Sequence, residues 1–66
     1  MTTRTAQLAK LFSIMETIYT ERKDLHPKVA AQFHVEGFVA MHKNSQYFDQ
    51  LLQEEIEDCS RSLAAA

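Results

Sequence analysis

The sequence predicts an all-α fold, a small antiparallel bundle of two long helices and one short one that pairs into a dimer. Three observations lead there. One glycine and one proline occur in 66 residues, Gly37 and Pro27, both near the middle of the chain. Gly and Pro are the strongest backbone punctuators, so their near absence leaves two long tracts free to be helical. In both tracts the apolar residues recur at spacings of three and four, the period of a helix face and not of an alternating strand. The hydrophobic fraction of 45% excludes a disordered tail, while the lack of Trp and the few aromatics leave little mass for a core. A chain of this length forms one domain, residues 1–66, near the lower limit at which a single core offsets chain entropy.

In the first tract Leu8, Leu11, Phe12, Met15, Ile18 and Tyr19 make one stripe, which predicts a helix from about Thr5 to Lys23. A Thr among Thr2, Thr3 and Thr5 caps its start, and Arg22 and Lys23 in its last turn complement the helix dipole. Asp24-Leu25-His26-Pro27 reads as a connector, since the residue before proline avoids helical geometry and Pro27 suits a first helical turn. The second helix begins there, with Val29, Ala30, Phe33 and Phe38 as its apolar side. Gly37 leaves two alternatives: it ends a short helix, or it lies inside a longer one. In the third tract Phe48, Leu51, Leu52, Ile56, Cys59 and Leu63 predict a helix over about 44–63, capped by Asn44 or Ser45. A helix unbroken from Glu36 to the end is the alternative, because Phe38, Met41, Ser45, Phe48 and Leu52 also stay near one face.

The formal net charge of −2 gives no general attraction to nucleic acid or anionic lipid. Its distribution is uneven: all basic residues but Arg61 precede residue 44, and Asp49, Glu54, Glu55, Glu57 and Asp58 crowd the last third. A single cysteine, Cys59, excludes an internal disulfide, and no apolar run approaches the roughly 18 residues of a membrane span. Met1-Thr2-Thr3-Arg4 leads into amphipathic sequence and not into an apolar signal core, so the expected location is cytoplasmic, away from the membrane.

Enzymatic chemistry is not expected. A nucleophile needs a base and an orienting acid in a concave pocket, whereas Cys59 falls on the inward stripe beside Ile56 and Leu63 and packs as an apolar residue. For a metal, His26, His34, His42, Cys59 and the carboxylates are the available ligands, but they show no i, i+4 histidine pair and no paired-cysteine spacing. No cofactor or metal is therefore expected.

Two resemblances rest on short segments. Ala30-Ala31-Gln32-Phe33-His34-Val35-Glu36-Gly37-Phe38-Val39 resembles the core of helix-turn-helix motifs, which implies a turn near His34 and Val35 and a compact DNA-binding regulator. The recognition helix it implies offers Glu36, His42, Lys43, Asn44 and Gln46 and no Arg, so nucleic acid ranks second among partners. Ser62-Leu63-Ala64-Ala65-Ala66 resembles the ending of the bacterial tag that directs stalled translation products to proteolysis; an Ala-rich helix end is its ordinary alternative.

The leading functional expectation is a small non-enzymatic regulator or inhibitor that binds another protein through an amphipathic or acidic helical face. Phe38, Met41, Tyr47 and Phe48 are the expected anchors and Glu54 and Asp58 the charged rim. Glu54 and Asp58 repel each other one turn apart near the C-terminal end of a helix, an arrangement that costs helix stability and that a basic partner would relieve. A homodimer is expected because about six apolar side chains per stripe scarcely exceed the cost of ordering the chain.

Overall fold

The computed structural model describes residues 3–65 as three helices, α1 (Arg4–Glu21), α2 (Pro27–His42) and α3 (Phe48–Ala65). The fold is all-α, as the spacing predicts. Thr2 as a cap and Ala66 of the tag-like ending lie outside the described residues.

The start of α1 follows from Thr3, whose Oγ1 accepts the Ala6 N–H at 3.1 Å. Its end differs from the expectation. The helix stops at Glu21, and Arg22 and Lys23 form the cap and not the last turn. Lys23 adopts the left-handed conformation at φ 61°, which sends its N–H to Thr20 O and that of Asp24 to Tyr19 O, both at 3.0 Å. This pair of bonds is a Schellman motif with lysine where glycine is usual. Lys23→Gly is therefore expected to stabilise the fold by about 0.5–1 kcal/mol, because relief of the side-chain clash outweighs the extra freedom of the unfolded chain. Urea denaturation reads the change; an unchanged or lowered midpoint contradicts it.

Asp24 Oδ1 accepts the His26 N–H at 2.9 Å, and Pro27 takes the first position of α2 as expected. The helix then runs through Gly37 to His42. Of the two alternatives at Gly37 the longer helix holds, so the middle element is not short: it has 16 residues against 18 in each of its neighbours. The turn expected near His34 and Val35 is absent, and Ala30 to Val39 is one continuous helix. A different turn ends it. Ser45 N–H bonds to His42 O at 2.9 Å, and Ser45 Oγ accepts the Tyr47 N–H at 3.0 Å, so α3 begins at Phe48, later than Asn44 or Ser45. These bonds also interrupt the helix imagined from Glu36 to the end.

The core is formed by Leu11, Met15 and Ile18 of α1, Ala31 of α2, and Phe48, Leu52 and Ile56 of α3. At one end Arg4 Nε donates to Asp49 Oδ1 at 3.0 Å, and its guanidinium lies 4.4 Å from the centre of the Phe48 ring. At the other end Ile18, Glu21 and Arg22 face Ser62 and Leu63. Helices α1 and α3 thus run in the same sense, contrary to the antiparallel pairing expected of residues 5–23 and 44–63. The reason is the length of α2, which carries the chain back to the level at which it began. Helix α2 runs opposite to α3, since Phe38 meets Phe48 edge-on at 5.8 Å and His34 meets Glu55.

Candidate functional site

Helix α2 turns Ala31, Val35, Phe38 and Val39 toward the core. By helical geometry the row at four-residue spacing, Val29, Phe33, Gly37 and Met41, then lies away from it. Phe33 is 68% exposed and Met41 77%, with Val29 and the preceding Leu25 also exposed. The sequence expectation placed Val29 and Phe33 on the apolar inner side; the structure puts both outside. Nothing lies within 4 Å of the position a Cβ at Gly37 would occupy, so the glycine leaves a notch in this ridge between Phe33 and Met41. Beside the ridge is an open groove of about 420 Å³, walled by Phe33, Phe38, Met41 and His42 of α2 and reaching Glu55 of α3.

Of the expected anchors, Met41 and Tyr47 are exposed and Phe38 is half-buried, its ring tilted against His42 at 4.7 Å. Phe48 is a correction. It is only 2% exposed and belongs to the core, because the late start of α3 turns it inward between Phe38 and Arg4. Glu54 and Asp58 are exposed, and Asp58 pairs with Arg61. The acidic run is not one face. Glu55 turns to α2, whereas Glu57 lines the cleft that also holds Lys10 of α1.

Behind the groove, residues distant in sequence converge. His34 Nε2 lies 2.7 Å from Glu55 Oε2, and both side chains are half-buried. A carboxylate only accepts, so the Nε2–H of His34 donates in this bond. One turn beyond Glu55 on the same face of α3 is Cys59, and the ligand atoms of His34, Glu55 and Cys59 all lie within 4.8 Å of one another. Burial, then the nearby carboxylates of Glu55 and Asp58, push the Cys59 thiol above its ordinary range. That holds the sulfur protonated, the opposite of what a free nucleophile needs. Sequence spacing signalled only the Glu55–Cys59 pair at i, i+4; His34 is brought to it by the turn at 43–47, which no local pattern reveals.

Among the described residues no helix is long and apolar enough to cross a membrane. Comparison of the chain with protein-family models, curated proteins and solved structures finds no match.

Proposed function

We propose that this chain is a small non-enzymatic regulator or inhibitor that works by protein–protein interaction and assembles as a homodimer through the ridge of α2. One observation carries the reading: Val29, Phe33 and Met41 are exposed in a single row on a helix whose opposite side is already satisfied by the core. Apolar rows of this kind mark interaction sites, and fixed helices present them without further ordering cost.

A second copy of the chain is the occupant of the ridge. Rows at four-residue spacing interdigitate with one another when two helices cross, and a two-fold axis at the notch of Gly37 would set Phe33 of each helix beside Met41 of the other. Among the described residues only seven are buried in the core, so self-association supplies burial that the single chain lacks. In this arrangement Glu54 and Asp58 remain outward as the rim for a basic partner protein.

Sedimentation across a concentration series tests the assembly. The wild-type chain is expected to dimerise by high micromolar concentration, and Phe33→Asp and Met41→Asp to raise the dissociation constant at least about tenfold, or 1.4 kcal/mol, with helicity retained. A wild-type monomer at every concentration overturns the dimer, as does a dimer indifferent to both substitutions.

A further inference from the structure

We propose that His34, Glu55 and Cys59 form a binding site for a thiophilic divalent transition-metal ion, zinc(II) foremost, that clips α2 to α3. The three donors are an imidazole nitrogen, a carboxylate oxygen and a sulfur, the set zinc prefers. In a tetrahedral zinc site, donor atoms lie about 3.3–3.8 Å apart, given metal–ligand bonds of about 2.0–2.3 Å. His34 Nε2 and Glu55 Oε2, now 2.7 Å apart, need only open slightly, and the Cys59 sulfur, within 4.8 Å of a ligand atom of each residue, need close by only about an ångström. Side-chain rotations of half-buried groups accomplish both.

The electrostatics favour a cation at this point. To ligate through Nε2 the neutral ring of His34 exchanges to its Nδ1–H tautomer, and the ion then takes the place of the Nε2–H bond to Glu55. Cys59 would release its proton to solvent on ligating, and the Glu55 carboxylate would balance the charge of the ion. Half-burial limits competition by solvent while leaving a fourth position for water. Two ligands one helical turn apart on α3 are preorganised by the backbone, and His34 is held at the site by its existing bond. An imidazole nitrogen and a thiolate sulfur with a single carboxylate do not suit calcium or magnesium, which take oxygen ligands.

The test uses the full chain, reduced and metal-free, titrated with zinc(II) by calorimetry and with cobalt(II) by absorption. Expected are one ion per chain with micromolar or tighter affinity, a thiolate-to-cobalt charge-transfer band, a higher melting temperature with zinc, and no effect of magnesium. Cys59→Ser should abolish the band, and Cys59→Ser and His34→Gln should each weaken zinc binding at least about tenfold, while His26→Gln changes nothing. Circular dichroism of each variant separates lost ligation from lost folding. Zinc affinity weaker than micromolar in the wild type overturns the site, and so does binding unaltered in the folded Cys59→Ser and His34→Gln variants. His34 and Glu55 also line the groove beside the ridge of α2, so the titrations are repeated in Phe33→Asp, which keeps all three ligands; zinc binding retained there separates the site from self-association.

Discussion

Leu52→Ala is expected to remove most of the stability of this protein, a loss of about 2–5 kcal/mol in urea denaturation followed by circular dichroism. Leu52 is fully buried on α3, as is Leu11 on α1, and the two helices share the core. Truncation loses the transfer energy of the deleted carbons and leaves a cavity that neighbouring helices cannot fully collapse. A single core in a chain of this size rarely supplies more than about 3–5 kcal/mol, so either Leu52→Ala or Leu11→Ala should leave a large unfolded population. The contrast is Phe33→Ala, where a larger residue is removed but 68% of it was already exposed. In dilute solution, where association adds least, it should cost less than about 0.5 kcal/mol. A Leu52→Ala loss below about 1 kcal/mol would mean that the core is not where these helices place it.

At Gly37 two substitutions should move stability in opposite directions. Gly37→Pro is expected to cost about 3 kcal/mol or more, because position 37 lies inside α2 and proline there removes a helical hydrogen bond and clashes with the carbonyl one turn earlier. Gly37→Ala should gain about 0.5–1 kcal/mol: the backbone has no positive φ, and the added Cβ meets nothing within 4 Å. A proline variant as stable as wild type would place a helix boundary at 37, the other reading of the sequence. The alanine variant also bears on assembly. If two copies of α2 cross at this notch, the same methyl that steadies the monomer should weaken the dimer, and sedimentation would separate the two effects.

The tracts on either side of Pro27 and Gly37 show why some of this was legible and some was not. Helix period, the cap at Thr3 and the start at Pro27 are local consequences of residue type, and each was readable within a few positions. The close of α1 is not legible because Lys23, a residue with no special turn preference, adopts the left-handed conformation of a Schellman motif, where glycine is the usual signal. Gly37 was ambiguous for the reverse reason. Its freedom permits a break but does not require one, and flanking helix formers carry the chain through. The candidate site was the least legible part. Met41 and Tyr47, read as anchors, lie exposed, but Phe48, read both as an anchor and as part of the α3 stripe, fills the core, and Phe33, read as part of the inner side of α2, stands exposed.

By itself, then, the sequence determined an all-α chain with helical tracts on either side of Pro27, since propensity and period act over a few residues and do not depend on what lies across the core. Only the tertiary structure decided which side of α2 faces inward and where the second break falls, that α1 and α3 run in the same sense, and that His34 lies beside Glu55 and near Cys59. Those outcomes depend on the length of α2 and the turn at 43–47, which rotate one helix relative to another. A rotation of one residue, about 100° on a helix, exchanges a core residue for a surface one, and no local propensity encodes it.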